Sequence, residues 1–309
     1  MEVLRLYANQ YRDLFPSPLS LFNSTDFSEL NSEKCVSLHY LAFKSGKVRL
    51  GIILGEKEKS FCVPFSASYG GFSFNSAVSI QHYYEACECL RHYIHQFLKP
   101  LYVTLAPPIY DESDNAKTLK ALINAGAQIV NVDYNHYFDL SYFGDYNKII
   151  DSTTRNKLNK ALTSGLQFDV LEGKNYADIV RVYSVIMKNH QERNHPLRMS
   201  LTNVVDTLQI IPSDLFVVTD NDGTDIAAAL IYHTSKTTYQ VVYWGNITAY
   251  KNLYAMNFLA YKLFEYYSKT EVKKLDIGIS TEEGEPNFGL CEFKENIGCK
   301  AVPRFTLVI

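Results

Sequence analysis

Long apolar runs are missing from this chain. Its longest, around Ile226–Tyr232, falls far short of the roughly 20 residues that cross a bilayer, and no membrane span is expected. Residues 1–30 carry neither a basic start nor an apolar stretch, which argues against a secretory signal. The sequence reads as a soluble, cytoplasmic protein. Cysteine is sparse: six residues, at 35, 62, 87, 89, 291 and 299, make neither a disulfide framework nor a Cys-x-x-Cys pair. Cys87 and Cys89 sit two apart on an expected helix, so they point to nearly opposite faces and cannot chelate together. Reduced thiols and no metal site are the expectation. Excess charge is also missing: the formal net charge is -3, which supplies no basic field for DNA.

Several glycine signatures are absent too. Without GxxxxGK[ST], without GxGxxG after a strand and without a GxSxG elbow, the usual phosphate loops, dinucleotide folds and hydrolase nucleophiles have no support. Asp220-Asn221-Asp222-Gly223 resembles part of a calcium loop, but the loop's first and twelfth ligands would then be Val218 and Ala229. It reads as a hairpin turn. Glu88, His92 and His95 share a helix face and read as a solvated polar surface, while His190 and His195 read as cleft or loop residues.

What is present is enough to fold: 47% hydrophobic and 20% charged residues in a chain of 309, longer than one typical domain. Aromatic residues make up 14%, with 23 Tyr, 18 Phe and a single Trp, favouring packed sheets or a ring-lined cleft. Val36–Phe43 and Val48–Leu54 read as a hairpin turning at Gly46, and Ser60–Pro64 as a third strand. Ile80, Tyr83, Cys87, Leu90, Ile94 and Phe97 recur at helical spacing and stop before Pro100. A strand at Leu101–Leu105, a helix at Lys117–Ala125 and a strand at Ile129–Leu140 follow. The second half repeats the order: helical segments at Ser152–Thr163, Ala177–Asn189 and Thr202–Ile210, strands at Leu215–Thr219, Ile226–His233 and Tyr239–Trp244, then a helix at Leu253–Tyr267. A strand at Lys274–Ile277, a helix from near Pro286 and a strand at Ala301–Val308 close it. The repeated order predicts a duplication of mixed α/β (α+β) units, with a boundary at Tyr142–Asn147 separating domains 1–145 and 146–309.

The most specific motifs lie in the final third: Asp276-Ile277-Gly278 at a strand end, Gly289-Leu290 before a helix, Phe293-Lys294, and Gly298. With the duplicated order, this series resembles the GNAT acyltransferase superfamily in its tandem form, which includes the Fem-type peptidyltransferases that extend cell-wall peptides using aminoacyl-tRNA. Arg155, Lys160, Ala161 and Gly165 resemble the Arg-x-x-x-x-Lys-Ala-x-x-x-Gly helix of Fem-like proteins, and Tyr69-Gly70-Gly71 their Tyr-Gly-Gly loop. The resemblance implies two tandem GNAT-like domains, each a mixed central sheet flanked by helices. It also implies an N-acyltransferase that moves an acyl group from acyl-CoA, or a related activated donor, to the amine of a small molecule or peptide. A catalytically silent binding protein and an aminoacyl-tRNA-dependent peptidyltransferase are the alternatives.

By that resemblance Lys294 stabilises the transition state. Glu282 and Glu283 follow a strand end, where either can take the amine proton. The pyrophosphate turn of most acetyl-CoA enzymes falls here at Trp244-Gly245-Asn246, with Lys251, Asn252 and the N–H groups of Asn252–Tyr254 as a substitute cradle. Tyr69, Gly70, Gly71, Arg155 and Tyr243 are the expected substrate-side residues, with Arg155 open to pairing with Asp151. Arg304 is expected to pair with Asp276.

Overall fold

The computed structural model describes residues 1–309 and divides them into two compact units. The first comprises Met1–Tyr134 with Thr281–Glu285 and Val302–Ile309, the second Asn135–Ser280 with Pro286–Ala301. The expected boundary at Tyr142–Asn147 lies inside the second unit, in a 3-10 turn over Leu140–Asp145 and a short helix over Tyr146–Ile149.

In the first unit, strands β1 (Glu2–Leu6), β2 (Ser37–Ser45), β3 (Lys47–Glu56), β4 (Phe61–Val63) and β5 (Leu101–Thr104) lie in chain order across the sheet. Antiparallel pairing holds except between β4 and β5, which run parallel. The C-terminal strand returns beside β5, with Leu307 opposite Val103. Gly46, at φ +70, makes the tight β2–β3 turn. Both faces of β2 and β3 are covered, which is why they read as nearly continuous apolar runs. Leu41, Phe43, Leu50, Ile52 and Leu54 join one core with Tyr83, Leu90 and Ile94 of the helix Ile80–His95. Tyr40, Ala42 and Ile53 face Tyr11 and Phe15 on the other side. The helix Glu112–Asn124 begins with Asp111 accepting the Asp114 N–H at 2.8 Å, five residues before its expected start.

The second unit repeats the plan. Strands β6 (Gln128–Asp139, of which Asn135–Asp139 belongs here), β7 (Gln167–Leu171), β8 (Ser213–Thr219), β9 (Asp225–Tyr232), β10 (Thr238–Asn246) and β11 (Lys274–Ile279) are ordered β6-β11-β10-β9-β8-β7. All pairs are antiparallel except β10–β11. The β8–β9 turn is the Asp220–Gly223 segment: Asp220 Oδ1 accepts the N–H groups of Asp222 and Thr224, and Gly223 takes φ +77. One face packs on the helix Ala255–Tyr267, whose Phe264 stacks on Phe138 at 3.8 Å, together with Leu158 and Ala161 of the helix Ser152–Leu162. The helix Tyr176–Glu192, capped by Asn175, buries Ile179, Val182, Val185 and Ile186, the spacing of a single helical stripe. Each unit is thus a mixed sheet flanked by helices. No helix is long and apolar enough to cross a membrane.

Candidate functional site

The second sheet opens between its two parallel strands. Pairing of β10 with β11 covers only Thr238–Gln240 against Lys274–Asp276. Directly beyond it each strand is irregular on its other side. On β10 the register with β9 shifts between Val241 and Tyr243, and on β11 the register with β6 shifts between Asp276 and Gly278, where Gly278 takes φ +77. Bulges bend a strand and raise its twist, so the strands part. Val241–Asn246 then has no pairing to β11, and backbone N–H and C=O groups at such an edge need partners.

A buried polar cluster fills the β11 side. Asp276 is wholly buried; its carboxylate accepts from Asn135 at 2.8 Å, from the Gly278 N–H at 2.9 Å and from Gln240 at 3.4 Å. Gln240 Oε1 is buried without a protein partner. His136, also wholly buried, has Nδ1 2.9 Å from Ser280 Oγ and Nε2 3.7 Å from the Glu295 carboxylate. Burial and the positive charge of Lys294 push His136 down to about 4, so the ring is neutral at pH 7.

Lys294 lies on the helix Phe288–Asn296, capped by Asn287. It is buried, and its Nζ donates to the carbonyls of Gly278 at 3.0 Å and Ile279 at 2.9 Å. Burial lowers its ammonium to about 8, a shift offset in part by Cys299 and Asp276. A solvated helix lysine would behave otherwise. Trp244 on β10 meets Phe293 edge-on at 6.0 Å. Tyr243 packs edge-on against His190 at 5.7 Å, and Tyr183 donates to the Met199 carbonyl at 3.1 Å. Gly245 is buried because Asn189 crosses it: a Cβ there would lie 2.5 Å from the Asn189 amide, whose Nδ2 donates to the Asn246 carbonyl at 2.6 Å.

The expected phosphate cradle takes a different form. Residues Thr248–Leu253 make a 3-10 turn that ends in left-handed Tyr254, φ +53, and the helix starts only at Ala255. The Tyr254 N–H therefore bonds the Lys251 carbonyl at 3.2 Å instead of pointing outward. Lys251 and Asn252 are exposed, and Lys160 reaches the Tyr254 ring at 5.9 Å. Arg155 donates to the Ile150 carbonyl at 3.0 Å, and its Nε is buried without a protein partner, while Asp151 caps the helix through the Thr154 N–H at 2.6 Å.

In the first unit, Tyr69 is buried against Phe22 and Tyr110, Gly70 bonds Thr104 through its N–H, and a Cβ on Gly70 would meet Val63 at 2.9 Å. Gly71 faces open space. The loop is tied down by Arg304, which donates to the Ser68 carbonyl at 2.8 Å and forks onto Asp133 at 2.7 and 3.2 Å. Arg304 thus pairs with Asp133, not with Asp276, whose oxygens already serve Asn135, Gln240 and Gly278. Glu282 and Glu283 are exposed: Glu282 ends the short strand Thr281–Glu282, and Glu283 at φ +51 with Gly284 at φ +87 makes the two-residue turn to Glu285–Pro286. Sequence reasoning passed over His136, Gln240, Ser280 and Glu295; the adjacent Asn135-His136 pair between the apolar and aromatic residues of β6 was the available signal.

No protein-family model matches the sequence, and no curated protein matches it. Solved structures do. FemX superposes with a TM-score of 0.66 at 10% identity, covering 99% of this chain and 97% of FemX. L-PGS from Bacillus licheniformis gives 0.65 at 13%, covering 97% and 90%. A tandem GNAT protein from the clavulanic acid biosynthesis pathway gives 0.56 at 12%, covering 100% and 98%. With the two repeated units and the parted β10 and β11, these matches identify the fold as the tandem GNAT fold shared with FemX.

Proposed function

We propose that the protein is an N-acyltransferase whose activated acyl donor lies along the free edge of β10. The observation that carries this reading is the end of β10–β11 pairing at Gln240 and Asp276. An extended acyl-thioester arm can add to that edge as a strand does, its carbonyl accepting a backbone N–H of Val241–Asn246. Trp244, Gly245 and Asn246 form the donor side, with Lys251 and Asn252 at the exposed end where a phosphate is best neutralised. Tyr243 and Arg155 are assigned to the substrate side.

The amine nitrogen attacks the donor carbonyl carbon. The new C–N bond forms, the carbon–sulfur bond breaks, and the thiolate leaves. Lys294 uses two of its three N–H donors on Gly278 and Ile279, and the third is proposed to meet the developing oxyanion. The amine proton passes to water, which serves as the base.

A second reading has its own support. The 3-10 turn at Thr248–Leu253 replaces the glycine-rich helix start that holds a pyrophosphate, which favours an aminoacyl ester donor of the kind the Fem resemblance implies. The test is release of free thiol from acetyl-CoA in the presence of lysine, polyamines and short peptides, beside transfer from aminoacyl-tRNA to the same amines. Thiol release lost in Lys294→Met supports the CoA donor, transfer from the aminoacyl ester alone supports the second reading, and neither reaction overturns both.

A further inference from the structure

The first unit contains a pocket of its own, closed by Leu19, Tyr69, Leu105 and Tyr110 and floored by the first turns of the helix Glu112–Asn124. Asp111, Asp114, Asn115 and Thr118 fall at the three- and four-residue spacing that puts them on one helix face. Its cavity of about 30 Å³ suits a group of one or two heavy atoms.

We propose that this pocket binds the primary ammonium head of a small organic amine, held by Asp111, Asp114 and Thr118 against the rings of Tyr69 and Tyr110. The carboxylates are half engaged. Asp111 accepts the Asp114 N–H at 2.8 Å through Oδ1, and Asp114 accepts the Tyr83 hydroxyl through Oδ1, which leaves a second oxygen on each. Independently, Thr118 is 2% exposed and its hydroxyl has no partner in the protein. A buried hydroxyl left unbonded costs free energy that a ligand hydrogen bond recovers.

Charge selects the class of ligand. Lys117, on the same helix, is directed to the Val78 carbonyl at 3.0 Å. Burial and the neighbouring Asp111 push the Asp114 carboxyl up to about 6, against the lowering effect of Tyr83 and Lys117, so an ammonium that binds there favours its ionised form. The helix N-terminus does not reverse this, because the Asp114 and Asn115 N–H groups are already bonded to Asp111. The Tyr69 and Tyr110 rings, 4.7 Å apart, favour an ammonium with an alkyl tail over a hydrated metal ion, which asks for six or more oxygens. The inference stands apart from the acyl-transfer reading and from the donor site of the second unit.

The test is a calorimetric and NMR titration of the whole chain with ethylammonium chloride at fixed ionic strength, with ethanol as the neutral probe of the same shape. Saturable binding of ethylammonium but not ethanol is expected, weakened about tenfold by Asp114→Asn and about threefold or more by Thr118→Val. Thr118→Val keeps the volume and decides the matter should Asp114→Asn fail to fold. No saturation up to about 100 mM, equal binding of ethanol, equal competition by sodium, or unchanged binding in Thr118→Val each overturn the proposal.

Discussion

Lys294 donates its buried ammonium to the Gly278 carbonyl at 3.0 Å, reaching from one helix to the strand end where β11 has left β10. The bond ties the helix to the strand end, while burial lowers the proton affinity of the lysine. Between about pH 8 and 10.5 the unfolded chain keeps a proton that the folded protein has lost. Stability therefore rises with pH across that window, by at most about 3 kcal/mol. Urea titrations at pH 7.5 and 10 should show the rise in the wild type and not in Lys294→Met.

On the proposed mechanism the same lysine sets the alkaline limb of activity. If its positive charge meets the oxyanion, turnover falls as pH climbs through about 8, even as stability increases. Lys294→Arg should move the fall beyond pH 10, and Lys294→Met should lower turnover more than tenfold at pH 7 (~1.4 kcal/mol per tenfold). A pH–rate profile of Lys294→Arg with its fall still near 8 removes Lys294 from the step.

His136 acts with the same sign in a more acidic window. Its folded pKa of about 4 lies below the ordinary 6.5, so the unfolded chain binds the extra proton first and stability is lost as pH drops from 6.5 towards 4. The difference between wild type and His136→Gln isolates this from Asp114, whose raised carboxyl contributes with the other sign. Urea midpoints measured between pH 7 and 4 should fall more steeply in the wild type than in His136→Gln.

Gly245 tests the donor edge without touching charge. Its absent Cβ makes room for Asn189, so Gly245→Ala should destabilise by about 1–3 kcal/mol through overpacking. Asn189→Ala costs stability by itself through the lost bond to the Asn246 carbonyl. In the double variant the two penalties should sum to less than their separate values, a coupling that thermal melts can read.

Removing Arg304 strands a carboxylate. Asp133 is 5% exposed and relies on Arg304 and on Thr281 at 2.7 Å, so Arg304→Met should cost about 3–5 kcal/mol. Thermal melts should show it, and Arg304→Lys should recover part of the loss.

Elements with strong periodicity were legible: the β2–β3 hairpin with Gly46, the helix from Ile80, the turn at Asp220–Gly223 and the repeated element order all follow from local chemistry. The beginning of the chain was not, because β1 and the helices Ala8–Leu14 and Thr25–Leu30 are short and gain their stability from tertiary packing. Nor was the start of the helix at Glu112, where an acidic first turn hides the apolar stripe. Of the candidate site, Lys294 and Gly245 could be picked out from their motifs, but the buried groups packed around them could not. Arg304 and Asp133 are 171 residues apart, and no local spacing distinguishes Asp133 from Asp276 as the partner.

The most direct measurement is a calorimetric titration of the protein with acetyl-CoA, repeated on Lys251→Ala and on Trp244→Arg, which places a long charged side chain on the open edge of β10. The account predicts saturable binding, weakened by Lys251→Ala and abolished by Trp244→Arg. Binding that survives Trp244→Arg unchanged would contradict a donor site along β10.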